Sequence, residues 1–181
     1  MIALLEIGKA LEQIHVSEIP SHLDIYSQER NPDIIRKLQN CKGIRFHGAI
    51  SADEVRKVMS RSMLVVHVES MEKLEINPAR YSISTKIPES LMNGPCLFAY
   101  GPDGVASIDY LKKNKAAYVV TSRQDLKKGL MDITENSALR KDIVNNARKL
   151  AENNHTKEAV HAAVQQYLLK ARENYYRKES V

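Results

Sequence analysis

Hydrophobic positions along the chain alternate between helical spacing and the short apolar runs that are typical of strands. Residues 2–16 repeat apolar side chains at helical spacing and predict an amphipathic helix. Further helices are predicted over residues 31–40, 51–62, a short segment ending at Asn93, 104–114, and from Asp125 to about 178. Ser51 and Glu54 are predicted to form a capping box that begins the helix over 51–62. Strands are predicted over residues 22–27, 43–50, 63–70, 96–101 and 116–121. Gly8 and Gly129 interrupt helical patterns, so the boundaries there are less well defined.

This alternation indicates βαβ units and therefore an α/β fold. We predict a Rossmann-like doubly wound parallel sheet with helices on both faces and a helical C-terminal tail over about 137–178. The run 63–70 is apolar on both faces and β-branched, which predicts a buried parallel strand. The 181 residues suffice for one core and are few for two, so residues 1–181 are predicted to form a single domain.

The composition of the chain limits which partners and which cellular compartment we expect. The net charge of +5 allows an anionic partner, but the basic residues are interspersed with acids, which favours solvated helix faces over nucleic-acid binding. No apolar run is as long as the membrane-spanning helix of about 20 residues that a bilayer requires. The N-terminus shows no signal-peptide cleavage pattern. Cys41 and Cys96 cannot form a disulfide framework, and Cys96 begins a predicted core strand. We predict a cytoplasmic protein.

The segment around Pro88 carries the candidate chemistry. Proline is tolerated in the first turn of a helix and disrupts its interior, so a helix is predicted to begin just before Pro88. Either Ser84 or Thr85 is a suitable N-cap, and the sequence Asn-Gly-Pro at 93–95 ends the helix. Ser82, Ser84, Thr85 and Lys86 are therefore expected to gather at a helix N-terminus.

Such an N-terminus suits an anion, because free backbone N–H groups and the helix dipole both favour negative charge. The hydroxyls add donors, and Lys86 adds a compact charge suited to phosphate. Glu89 follows on the same face, where a carboxylate can accept hydrogen bonds from the paired hydroxyls of a ribose. A nucleotide carries a phosphate close to the diol of its ribose, so this arrangement of residues suits a nucleotide. The alternative is a capped helix whose Lys86 faces solvent and pairs with Glu89.

Other reactive residues are interpreted structurally. Either His47 or His67 could face the ligand cleft, but the pattern favours packed or surface side chains for both. His155 and His161 lack metal-ligand partners at suitable spacing. The turn 101–104 is equally compatible with an ordinary turn and with a loop that closes over a ligand. A Ser-x-Ser-x-Lys pattern lacks the Gly-x-Ser-x-Gly elbow of a hydrolase.

Three segments, in order, resemble the C-terminal domain of GT-B glycosyltransferases, specifically the retaining family related to glycogen and sucrose synthases. "GIRFHGAISADEVRKVMSRSMLVVHVES" resembles that family's strand, F-x-G turn, helix and serine-ended strand. "STKIPESLMNGPCLFAYGPDG" resembles its E-A-M-A-x-G-x-P-V segment, and "LRKDIVNNARKLAENNHT" resembles a helix near its end. The resemblance covers residues from about 22 to 170.

The resemblance implies a domain that binds a nucleotide-diphosphate sugar and transfers a hexose without an essential metal or another cofactor. It implies that Glu89 contacts the ribose, that Ser84, Thr85 and Lys86 face the diphosphate, and that Gly48 lies near the base or diphosphate. Arg80 could join the diphosphate site or remain a solvent-facing charge. The family's first glutamate is Tyr81 here, which puts the sugar contacts in doubt.

The acceptor, a carbohydrate or lipid-linked sugar, would bind an N-terminal domain that residues 1–181 do not contain. The strand and loop that supply the diphosphate's arginine and lysine are also missing, so this chain alone is expected to be an inactive fragment. The basic surface would allow the full enzyme to sit near an anionic membrane. The alternative is a non-catalytic α/β module that binds a nucleotide or associates through its helices.

Overall fold

The structure is a computed structural model that describes residues 1–14, 21–72 and 80–179, with side chains described through Tyr175. The described strands are β1 (Leu23–Tyr26), β2 (Ile44–Gly48), β3 (Leu64–Val68), β4 (Cys96–Tyr100) and β5 (Tyr118–Val120). The described helices are α1 (Ile2–Glu12), α2 (Pro32–Gln39), α3 (Ala52–Arg61), α4 (Lys86–Asn93), α5 (Ala106–Lys113), α6 (Leu126–Glu135), α7 (Ser137–Asn154) and α8 (Lys157–Glu179).

Every pairing between the described strands is parallel, which confirms the predicted α/β class. The strands divide into two sheets, one of order β1–β2 and one of order β3–β4–β5. Parallel neighbouring strands need crossover connections. A helix forms the crossover between β1 and β2, and another forms the crossover between β4 and β5. The carboxyl ends of β3, β4 and β5 therefore share one edge of their sheet.

Helices cover both faces of the larger sheet, as the sequence predicts. Phe98 and Tyr100 point to one side of β4, into a cluster with apolar residues of α1 and α6. Leu97 and Ala99 point to the other side, into a cluster with apolar residues of α4, α5 and α7. The alternation of side chains along one strand thus feeds two layers of core.

The prediction that the run 63–70 is buried on both faces is wrong. Each of the five side chains of β3 is only half-buried, whereas all five residues of β4 are buried. Among the described strands β3 pairs on one side only, with β4, and β4 pairs on both sides. The apolar composition of a parallel strand thus does not tell a central strand from one at the edge.

Local signals fix most of the helix ends. The predicted capping box of Ser51 and Glu54 is present in full at the start of α3. Ser122 and Asp125 bond to each other directly before α6, at 3.2 Å from the Asp125 N–H to the Ser122 hydroxyl. Helix α1 is shorter than predicted, because it ends at Glu12, and residues 15–16 of that prediction lie outside the described residues. The predicted tail is confirmed as two helices, α7 and α8.

Two helical glycines are explained by close packing. A Cβ atom at Gly8 would lie 2.5 Å from the Ile44 side chain, so the absence of a side chain lets α1 rest on the start of β2. A Cβ atom at Gly129 would lie 2.6 Å from the Val120 side chain, so α6 rests equally closely on β5. No helix in the described part of the chain is long and apolar enough to cross a membrane.

Candidate functional site

Helix α4 begins where the sequence predicts. Thr85 is the N-cap residue, and Pro88 lies in the first turn, where the helix does not need its missing N–H. The Thr85 side chain makes no capping hydrogen bond, and the Lys86 N–H has only a long contact of 3.4 Å to the Ser84 hydroxyl. Ile87 and Leu91 bury the opposite face of the helix. Helix α4 is thus held in place by its buried apolar face, while its N-terminus is only weakly capped.

The segment that leads into α4 is bound to the start of α5. The Ala106 N–H donates to the Arg80 carbonyl oxygen at 2.8 Å. The Ser107 hydroxyl accepts from the Ser84 N–H at 3.1 Å and donates to the Ser82 carbonyl oxygen at 3.2 Å. Because α5 follows β4, these bonds hold the segment beside the carboxyl end of the central strand. That edge is the usual ligand site of a parallel α/β sheet.

The charged residues of this segment face solvent. Ser82, Thr85, Lys86 and Glu89 are exposed, and Ser84 is half-buried. In the described part of the chain neither Lys86 nor Glu89 forms an ion pair, so the alternative in which these two residues pair is not observed. Among the described residues, a cation and a carboxylate therefore lie unpaired beside a helix N-terminus.

Two further predicted residues lie differently. The Arg80 guanidinium stacks on the neighbouring Tyr81 ring, 5.6 Å from the ring centroid, while Tyr81 itself is 87% exposed. Gly48 ends β2 with a φ of +75°, in the left-handed region that favours glycine. It belongs to the smaller sheet, whereas α4 packs in the core of the larger one.

The pattern-based prediction missed an acid, Glu69, which directly follows β3 and lies beside His67. The Glu69 carboxylate lies 3.0 Å from His67 Nε2, and the two side chains are 16% and 12% exposed. The Glu69 N–H extends the pairing with β4 by donating to the Tyr100 carbonyl oxygen at 2.9 Å. The position of Glu69 directly after an apolar run was the available signal, because side chains at strand carboxyl ends line the ligand edge.

The hydrogen bond with His67 lowers the pKa of the Glu69 carboxyl below its ordinary value of 4.5, and the Ser107 hydroxyl adds to this effect against desolvation. A lowered folded-state pKa contributes stability that is present above the unfolded value and lost as pH falls through the folded one. We expect Glu69→Gln to make the free energy of unfolding less pH-dependent below about pH 4.5. Urea unfolding at several pH values measures this. The slope should persist in Glu135→Gln, and an unchanged slope in Glu69→Gln would contradict the assignment.

A second network crosses the same sheet edge. Arg123, which follows β5, donates to Glu6 of α1 at 2.7 Å and to Glu72 at 2.6 Å. The Tyr100 hydroxyl donates to the other Glu6 oxygen at 2.8 Å, and burial raises the pKa of that tyrosine. A groove of about 250 Å³ lies beside it, with Lys9 and Lys127 on its walls. The network fastens α1 across the ends of the strands.

The remaining candidates have ordinary partners. His47 lies 2.6 Å from the Asp24 carboxylate and stacks on Tyr26, and His155 lies 2.8 Å from the Tyr110 hydroxyl. The turn 101–104 is fixed to α5, because Lys112 pairs with Asp103 at 2.7 Å. Both cysteines are free and buried, and burial raises the pKa of Cys96 to about 11. Within the described ranges, no group of three or more His, Cys, Asp or Glu residues could hold a metal ion.

Comparison with known protein families settles the relationship. A family model described as glycosyl transferase-like matches residues 8–167, which is most of the chain. The chain belongs to this glycosyl transferase-like family. The resemblance stated from the sequence is thereby confirmed, and the edge that carries α4 is an edge of a glycosyl transferase-like domain.

A solved structure supports the fold of this glycosyl transferase-like domain. The crystal structure of WaaG, a glycosyltransferase involved in lipopolysaccharide biosynthesis, is similar over 88% of this chain with a TM-score of 0.63 and 15% sequence identity. The chain spans 40% of the length of that protein. No curated protein sequence matches the chain.

Proposed function

We propose that residues 1–181 form the nucleotide-sugar-binding part of a glycosyltransferase. The observation that carries the proposal is the free N-terminus of α4, where Lys86 and Glu89 are exposed and unpaired within the described structure, at the ligand edge of a glycosyl transferase-like domain.

The chemistry of each group assigns its part of the ligand. The Lys86 N–H, whose contact with the Ser84 hydroxyl is long, the neighbouring Thr85 N–H and the ammonium of Lys86 take the diphosphate, because a helix N-terminus favours anions. The Glu89 carboxylate, one turn later, accepts from the ribose hydroxyls. Arg80 and Ser82, on the approach to the helix, add charge and a donor. Gly48 would approach the ligand from the smaller sheet, where a Cβ atom would meet nothing within 4 Å.

In the full enzyme, positive charge beside the leaving diphosphate would stabilise the transition state of glycosyl transfer. The donor would be a nucleotide-diphosphate sugar carrying a hexose, and the acceptor a carbohydrate or a lipid-linked sugar bound by a further domain. The domain itself needs no metal in this scheme, since Lys86 and the helix N-terminus supply the positive charge. Residues 1–181 alone are expected to bind the donor without turning it over.

Calorimetric titration of the chain with UDP, GDP and ADP, and with the matching monophosphates, tests this proposal. We expect saturable binding of one diphosphate and weaker binding of its monophosphate. Lys86→Ala should weaken the diphosphate about tenfold, the loss expected for one charge-assisted contact. Lys113→Ala removes an equally exposed lysine at the far end of α5 and should leave the affinity unchanged.

A sugar-specific variant separates the role of Glu89 from a general charge effect. Glu89→Gln should reduce the preference for the ribonucleoside diphosphate over its 2′-deoxy analogue, because the amide is a poorer acceptor for the ribose hydroxyl. Equal affinities of wild type, Lys86→Ala and Glu89→Gln for every nucleotide would refute the proposed site.

A second candidate function is a non-catalytic module that associates through its helices. It is favoured by α8, which exposes several large apolar side chains: Val160, Val164, Tyr167, Leu168, Leu169 and Tyr175. This candidate predicts that no nucleotide produces a saturable heat in the same titration.

A further inference from the structure

Ser107 is the buried polar residue of the core among the described residues, with 0% of its surface exposed. It occupies the second position of α5, whose N-cap residue, Val105, makes no side-chain capping bond. Its hydroxyl turns away from its own helix and bonds the backbone of Ser82 and Ser84. A buried hydroxyl without partners would cost stability, so the site is built to place this group against that segment.

The segment 80–84 and the start of α5 hold each other through three bonds. Besides the two bonds of Ser107, the Arg80 carbonyl oxygen accepts from the Ala106 N–H at 2.8 Å. Together these bonds fix the backbone on both sides of Ile83. The backbone that leads into α4 is thereby held in one conformation.

Ser84 transmits this restraint to the helix. Its N–H is held by the Ser107 hydroxyl at 3.1 Å, and its own carbonyl oxygen accepts from the Ile87 N–H at 3.0 Å, which closes the first turn of α4. The orientation of the Ser84 peptide therefore sets the direction in which the N–H groups of Thr85 and Lys86 point.

Glu69 directly follows β3, at the same edge of the sheet. His67 holds its carboxylate from the strand side at 3.0 Å, and the Glu69 N–H donates to the Tyr100 carbonyl oxygen at 2.9 Å. Gly101 leaves the room, because a Cβ atom there would lie 2.7 Å from the Glu69 Cβ. Glu69 is thus fixed at the same sheet edge as the start of α5, which carries Ser107.

We propose that Ser107 is a positioning residue for the diphosphate site, fixing the Ser84 peptide so that the N-terminus of α4 presents its N–H groups to the ligand. The inference rests on the proposed function, since it concerns the same site. Ser107 does not touch the ligand itself and acts through Ser84.

Two measurements on Ser107→Ala test the inference. The first, without ligand, is amide hydrogen exchange, in which the Ser84 N–H should exchange about tenfold faster once its acceptor is removed. The second is calorimetry with the diphosphate that wild type binds, where affinity should fall about tenfold. Ser107→Thr keeps the hydroxyl and should recover most of the lost affinity. Ser62→Ala removes a comparable bond, from a serine hydroxyl to the Val58 carbonyl oxygen at 2.8 Å, and should change neither result.

A double-mutant cycle separates positioning from a loss of overall stability. If Ser107 acts through the helix N-terminus, Lys86→Ala should cost less affinity in the Ser107→Ala background than in wild type. Additive losses, or an unchanged Ser84 exchange rate with unchanged affinity, would overturn the inference while leaving the proposed function intact. Failure of wild type to bind any diphosphate would instead reject the proposed function, and the inference with it.

Discussion

Phe98→Ala is expected to lower the free energy of unfolding by about 4 kcal/mol. Phe98 lies at the middle of β4 with 0% of its surface exposed. Its ring stacks on that of Tyr118 at 6.0 Å between centroids and packs against the layer formed by α1 and α6. Truncation removes this contact and leaves a cavity that strands on both sides prevent from closing.

Urea unfolding measures this loss, and an exposed aromatic residue provides the control. Tyr167 of α8 is 75% exposed, so Tyr167→Ala should change the free energy of unfolding by less than about 0.5 kcal/mol. A loss below about 1 kcal/mol for Phe98→Ala would mean that β4 is not the centre of the core.

Gly43→Ala is expected to cost about 3 kcal/mol, although it adds only one methyl group. A Cβ atom at Gly43 would lie 2.0 Å from the carbonyl oxygen of Gly8. Both groups are backbone, so no rotamer change relieves the contact. The Gly43 peptide is also held in place, because its carbonyl oxygen accepts from the Leu23 N–H at 2.8 Å and its N–H donates to Glu12 at 3.1 Å.

The same unfolding experiment tests this contact. Lys42→Ala changes the exposed neighbour and should fall within about 0.5 kcal/mol of wild type. If Gly43→Ala is as stable as Lys42→Ala, α1 does not approach the 41–44 turn as closely as described. Gly43→Ala thus measures how closely α1 packs against the smaller sheet.

The sequence predicts the elements well where the signal is local. The capping box at Ser51 and Glu54, and the proline in the first turn of α4, depend on neighbours within a few residues, and both are confirmed. The burial of β3 and the division into two sheets depend on which strands are neighbours in space. Period and composition along one strand carry no such information, so the predicted burial of β3 on both faces was wrong.

The same distinction applies to the site. The N-terminus of α4 follows from Pro88 and the hydroxyls before it, and the structure has them there with Lys86 exposed. Ser107 is more than twenty residues away and gives no sequence signal, because its importance arises from burial against Ser82 and Ser84. Glu69 and Arg123 follow apolar runs, so they were open to prediction from the rule that ligands lie at strand carboxyl ends.

The central claim is that a diphosphate binds at the N-terminus of α4, and an amide NMR titration of residues 1–181 with the nucleoside diphosphate that binds in calorimetry tests it most directly. We expect saturable shifts concentrated at the Ser84, Thr85 and Lys86 amides, with the same dissociation constant as the calorimetric one. Saturable shifts confined to the groove of Lys9, Arg123 and Lys127, with the α4 amides unchanged, would contradict it.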